Sequence, residues 1–229
     1  MIRIFKDEEW GTIAELQESL LHESKKLLPM DAKECERRWL VKDGQGLLER
    51  LSWEHNHPSQ VHWKCIEQKS YNIAWLTTNP EVRIHRSYNK YDAPIGHFIC
   101  LKGNFESSTG ITRSKAEFHC SPIIYDRVLR MICNDPFIQP YGGFVAVPVK
   151  LFCIDYLDET GVAHTYEIRS ADNGGRVWID VEFPFETDAE NFEMRKEYLP
   201  FIDREITSDP SETMKAYWYR TRMHPYMEV

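Results

Sequence analysis

The chain has 229 residues, of which 42% are hydrophobic and 13% aromatic, and its formal net charge is −8. That apolar content supports a sizeable core and excludes an intrinsically disordered chain, while the length suits one large domain or two small ones. The longest uncharged run, "PFIQPYGGFVAVPV" at 136–149, is too short and too broken by proline and glycine to cross a bilayer.

In chain order, the first third reads as helical. Asp7 can cap a helix to about Leu28, with Trp10, Ile13, Leu16, Leu20 and Leu27 near one face and Pro29 as the stop. Asp31 and Glu34 stand at capping-box spacing, which predicts a second helix containing Trp39 and Leu40 and ending by "KDGQG". "LLERLSW" fits either a helix or a strand. After Pro58 the texture turns to β. "VHWKCIEQKSYNIAWLTTN" predicts two short strands joined near Gln68 to Ser70, and "VRIHR", "HFICL" and "ITRSKAEFHC" predict further strands. A helix interrupts them at "SPIIYDRVLRMIC", with Ser121 as N-cap and Pro122 at the first helical position.

Between Phe144 and Phe185 two turns, "DETG" and "ADNGG", separate three alternating segments. Val145, Val147, Val149, Leu151 and Cys153 alternate in the first, and Val177, Ile179, Val181, Phe183 and Phe185 in the third. The pattern predicts an antiparallel meander with one buried and one wet face. Helices around "AENFEMRKEYL" and "DPSETMKAYWYRTRM" complete the chain. The expected fold is a single α+β domain over 1–229: a helical part at 7–53, a β-rich part at 61–185 and an acidic helical part at 186–229. In it, helices pack on one face of an antiparallel sheet formed by the meander at 144–185 and the earlier short strands.

Six cysteines are scattered singly with no CxxC pair. Acidic residues appear from Asp7, so no apolar leader follows the start, and free thiols in a cytoplasmic protein are expected. The charge is concentrated: Glu182 to Glu212 holds ten acids and three bases, a net −7. Such a segment favours a cationic partner and disfavours direct nucleic-acid binding, although a solvated acidic helix has the same composition.

Four groups of residues could carry chemistry. "WEHNHPSQVHWKC" supplies His55, His57, His62 and Cys65, all zinc-compatible, but Pro58 argues for a loop and no recognised ligand spacing emerges. Cys120 precedes a helix start that would lower a thiol pKa, yet adjacent His119 points away from it on a strand. Glu167, Arg169, Arg176, Trp178, Asp180 and Glu182 share the wet face of the meander, where cross-strand ion pairing accounts for them without chemistry. "AYWYRTR" offers Trp218 and Tyr219, as core or as partner surface. Walker A, GxGxxG, GxSxG, HExxH and kinase signatures are missing.

These readings favour a non-enzymatic binding protein with no cofactor and no catalytic residue. Its acidity and aromatic content resemble the profile of bacterial immunity proteins and antitoxins that block nuclease toxins. The expected contact surface for a basic protein partner is Glu186, Asp188, Glu190, Glu193, Glu197, Trp218 and Tyr219. The alternative is a metal-dependent hydrolase using histidines of the 55–119 region with Asp180 and Glu182.

Overall fold

A computed structural model describes residues 33–57, 65–78, 81–89, 91–105, 111–134, 145–157 and 163–222. Nine strands make one sheet: β1 (Lys33–Val41), β2 (Cys65–Thr78), β3 (Glu81–Tyr88), β4 (Pro94–Phe105), β5 (Thr112–His119), β6 (Val147–Leu157), β7 (Ala163–Ala171), β8 (Arg176–Glu182) and β9 (Ile202–Glu205). Their order is β5-β4-β3-β2-β6-β7-β8-β1-β9, with every reported pairing antiparallel. A further pairing of β1 with β5, Lys33 opposite Ser114 through Cys35 opposite Thr112, closes eight strands into a barrel. Closure removes the unpaired edges that an open sheet would expose.

Among the described residues the α-helices are α1 (Gly44–Asn56), α2 (Pro122–Cys133), α3 (Glu186–Glu190) and α4 (Met214–Arg222). Ser121 caps α2 as its sequence requires, its hydroxyl accepting from the Ile124 N–H at 3.2 Å. The buried stripe of α2, Ile124, Tyr125, Val128 and Ile132, covers Ile84, Ile99 and Phe118 on the outside of β3 to β5. A second cluster on the outside of β6, β7, β8 and β1 packs Leu47 and Leu51 of α1 against Tyr166, Ile168, Val177 and Ile179.

Helix α4 supplies Trp218 and Met214 to the cluster that also holds Leu40, Ile73, Trp75 and Trp178. The Trp75 and Trp218 rings lie 5.9 Å apart, and the Trp218 indole donates to the Val145 carbonyl at 2.8 Å. Leu40, Ile73, Trp75 and Trp178 have inward-facing positions on β1, β2 and β8, so α4 and these side chains close one end of the barrel with an apolar floor.

The expected α+β layering, with helices on one face of a sheet, is therefore corrected. The sheet curls until its two ends meet, so its alternation separates an outside from a lumen rather than a core face from a wet face. Residues 33–41, expected as a helix, form β1, because Trp39 pairs with Ile179 and Arg38 with Asp180 in a continuous ladder. The predicted helix at 7–28 lies outside the described residues. "VHWKCIEQKSYNIAWLTTN" contributes one 14-residue strand rather than two. In the acidic part the helix is only Glu186–Glu190, and the last helix begins at Met214 after a short 3-10 turn at Pro210–Glu212. "LLERLSW" resolves as helix α1, capped by Asp43. The three meander strands and α2 lie where the sequence puts them, but Val149, Leu151 and Cys153 share the lumen face with Arg169 and Glu167 rather than the outer face of Ile168 and Ile179. No helix among the described residues is long and apolar enough to cross a membrane.

Candidate active site

The lumen is unusually charged for a protein interior. Glu36, Glu81, Lys102, Arg113 and Asp180 are all buried, Asp180 completely. Strand alternation explains the placement: Glu36 and Arg38 on β1, Arg83 on β3, Lys102 on β4, Arg169 on β7 and Asp180 on β8 face the axis while their neighbours face the outer cores. Arg113 of β5 donates to Glu36 at 2.7 Å and approaches Glu81 of β3 at 3.5 Å, bridging strands that are not neighbours. Arg38 contacts Asp180 at 2.5 Å and Glu36 at 3.1 Å. Arg169 pairs with Glu167 and Asp180. The Trp75 indole of the apolar floor donates to Glu81 at 3.0 Å, which puts the charged layer directly above that floor.

The two signs are mixed, with a bias: β3, β4 and β5 carry Arg83, Lys102, Arg113 and Lys115 beside Glu81 and Glu117, while β1, β7 and β8 carry Glu36, Glu167, Asp180 and Glu182 beside Arg38 and Arg169. Within the acidic wall, Glu36 stands directly opposite Glu182, and Glu167 opposite Asp180. Like charges in direct cross-strand positions repel, so this wall needs cations. Arg38 and Arg169 supply two of them.

The electrostatics follow the geometry. Burial alone would raise the Glu81 carboxyl, but Arg83, Lys102 and Arg113, helped by the Trp75 indole, outweigh it and hold the group below its ordinary range. Burial opposes the charge of Arg169, yet Glu167 and neighbouring acids keep it protonated well above its usual value. Burial raises the Tyr71 phenol, outweighing the opposing pull of Arg169 and Arg83. His85 is pushed down to about 3, first by burial and then by Arg83, Lys115 and His119, so it is neutral at pH 7.

Each side of the lumen thus offers carboxylate oxygens and cationic donors, the first suited to a hard cation and the second to an anion. Magnesium is usually held by one or two carboxylates plus substrate oxygens rather than by an all-protein cage. In keeping with that, no three His, Cys, Asp or Glu side chains among the described residues form a preassembled cation site. Glu36, Glu167, Asp180 and Glu182 are the side chains whose chemistry fits the ion.

The residues singled out by sequence fall elsewhere, except that His85 and His119 of the 55–119 histidines face the lumen from β3 and β5 and one face of the meander turns inward. His57 ends α1, stacked on Trp53 at 4.7 Å with Nδ1 against the Trp53 carbonyl. His55 has its backbone in α1 and Cys65 begins β2, while His62 lies outside the described residues. His97 faces Tyr125 on the outside of β4. Cys120 is buried. Trp218 is core, whereas Tyr219 is exposed. The inward face is the supposed wet face of the meander: Glu167, Arg169, Asp180 and Glu182 line the lumen.

In the C-terminal part Glu205 is bound by Arg37, Glu197 by Arg195, and Glu212 by Arg176, Arg204 and Arg220. The expectation of an immunity-type inhibitor is corrected: it rested on the charge of this segment, whereas the fold is a barrel whose buried charge lies in its lumen.

The functional residues that sequence reasoning missed are Glu36, Arg38, Glu81, Arg83, Lys102 and Arg113. The available signal was Glu36-x-Arg38 at strand spacing, obscured by the cap-like Asp31 and Glu34.

No known family pattern matches the sequence, and no curated protein matches it either. Among solved structures, the inorganic triphosphatase NE1496 is similar over 82% of this chain and 95% of its own, at 15% identity and a TM-score of 0.41. A putative adenylyl cyclase from Hippeastrum, HpAC1, described as having a dominant triphosphatase activity, covers 69% of this chain and 82% of its own at 12% identity and a TM-score of 0.37. The S. pombe RNA triphosphatase Pct1, in complex with the Spt5 CTD, covers 94% and 90% at 11% identity and 0.34. At these scores the likeness is loose.

Proposed function

We propose that the protein is a hydrolase that cleaves a phosphate chain drawn into the barrel lumen, with a divalent cation between that chain and the acidic wall. The observation that carries this reading is Arg113, a buried guanidinium on β5 that reaches both Glu36 and Glu81 in the interior of the barrel. An eight-stranded barrel has room for its own side chains or for one small ligand. Filling that room with buried ion pairs is commonly no better for stability than apolar packing, so stability alone gives no reason for them. A linear polyanion gives such a reason, since it can exchange the carboxylate partners of Arg38, Arg83, Lys102 and Arg113 for phosphate oxygens.

In this arrangement the basic wall binds and orients the chain. The same cations offset charge on the phosphoryl group as it transfers, which is where most catalysis of this class arises. A bound divalent ion would supply Lewis-acid polarisation of the phosphoryl oxygens. Glu36, Glu167, Asp180 and Glu182 would hold it on their side, and the apolar floor of Trp75, Trp178 and Trp218 excludes water from the closed end. A cytoplasmic location goes with this reading, since Cys35, Cys100 and Cys133 are free thiols suited to a reducing compartment.

The test is phosphate release from inorganic triphosphate and from nucleoside triphosphates with magnesium or manganese. Wild type releases phosphate, and Arg113→Lys, which keeps a charge but loses the two-pronged reach, loses roughly a hundredfold in kcat/KM. Absence of release from every phosphate chain with both metals removes the proposal.

A further inference from the structure

On the lumen side of the barrel, four aromatic rings form a column across four successive strands. Tyr71 of β2 is 5.9 Å from His85 of β3. His85 stacks on Phe98 of β4 at 4.7 Å and 14° between planes, and Phe98 lies 4.2 Å from His119 of β5. The register makes these rings neighbours: His85 is paired with Phe98 and Phe98 with His119. Each strand then continues to the charged layer, through Arg83 on β3, Cys100 and Lys102 on β4, and Glu117 and Lys115 on β5.

The column is therefore contiguous with the basic wall and lies on the side away from the tryptophan floor. Phe98 and His119 at its far end are only half-buried. Gly96 leaves the space that the Phe98 ring occupies, since a Cβ there would come within 2.5 Å of it. His85 sits inside the column between Tyr71 and Phe98, with Nδ1 buried. Its positive surroundings and burial keep the ring neutral, and hence free to stack and to accept a hydrogen bond.

Resting on the phosphate-chain reading above, we propose that the substrate is a nucleoside triphosphate, with its base docked against the column of His85, Phe98 and His119 and its phosphates running inward to the basic wall. A base has the flat aromatic face that extends such a column at its half-buried His119 end. Inorganic triphosphate has no such face.

The experiment compares kcat/KM for ATP and GTP with that for inorganic triphosphate, in wild type and in Phe98→Leu of the full chain. Base–aromatic stacking contributes enough that the preference for the better nucleotide in wild type is expected to be at least roughly tenfold, and the leucine variant to lower that ratio by a similar factor. A thermal melt shows whether Phe98→Leu folds; should it not, His119→Asn gives the same readout at a half-buried position. Hydrolysis of inorganic triphosphate with a nucleotide ratio near one, or a ratio that neither variant moves, overturns this inference and leaves the proposed function standing. Hydrolysis of neither substrate overturns both.

Discussion

Two regions of this molecule are rich in charge, the barrel lumen and the C-terminal part from Glu186 onward, and they use charge in opposite ways. In the C-terminal part most acids are at least partly exposed and make local or edge pairs, as Glu197 does with Arg195 at 2.6 Å and Asp203 with Arg204 at 2.9 Å. Such pairs are worth little, because water screens them and long side chains lose entropy to form them. In the lumen fewer charges are present, but Asp180 is wholly buried and held by arginines from β1 and β7. There each charge depends on its partners, because an uncompensated ion has no water to turn to. Charge density along the chain therefore pointed to the region where charge matters least.

The sharpest way to break this contrast is Asp180→Ala. Arg38 and Arg169 would lose their shared buried acid, and removal of one partner of a buried pair typically costs about 3–5 kcal/mol. Chemical denaturation should show a loss of that order, and a loss under about 1 kcal/mol would mean the lumen is wetter than its geometry implies.

A second effect concerns pH. His85 in the folded protein titrates at about 3, below its unfolded value of 6.5, so the unfolded chain binds a proton that the folded one does not. Stability should accordingly be full above about pH 6.5 and fall as pH drops toward 3. At this chain length each kcal/mol lost corresponds to roughly 2–4 °C in melting temperature. His85→Gln should flatten the slope between pH 6.5 and 5, measured by differential scanning calorimetry. An unchanged slope would assign it to carboxylates instead.

Tyr156 and Tyr198 share a buried 2.7 Å hydroxyl–hydroxyl hydrogen bond in the outer core. Tyr198→Phe leaves the Tyr156 hydroxyl with one partner fewer, at an expected cost of about 1 kcal/mol in urea unfolding. The loss should be the same at low and high salt, because neither group carries a charge.

The smallest effect is expected where the sequence is most acidic. Glu190→Lys with Glu193→Lys reverses two exposed charges, and stability should stay within about 0.5 kcal/mol. A change several times larger would show that the acidic segment is a folded electrostatic unit after all.

Local features were legible. Ser121 and Pro122 announce α2 because a cap and a first-turn proline act within one turn of helix. The meander of β6 to β8 is legible because its turns and its period-2 pattern are local as well. Residues 33–41 were not, since Asp31 and Glu34 imitate a helix start while the evidence for a strand is the pairing of Trp39 with Ile179, far away in sequence. The same limit hid the site. Glu167, Arg169 and Asp180 were visible as one face of a sheet, but a face of alternating charge reads as solvent-facing.

What the sequence determined on its own was a β-rich chain with enough apolar mass for two outer cores and a charged face on its central strands. Only the tertiary structure decided that this face looks inward. The pairing of β1 with β5 turns a sheet into a barrel, and closure of that kind depends on three residue pairs some 80 positions apart, which no local pattern encodes. Once the sheet closes, polar and charged side chains that would have met water meet one another.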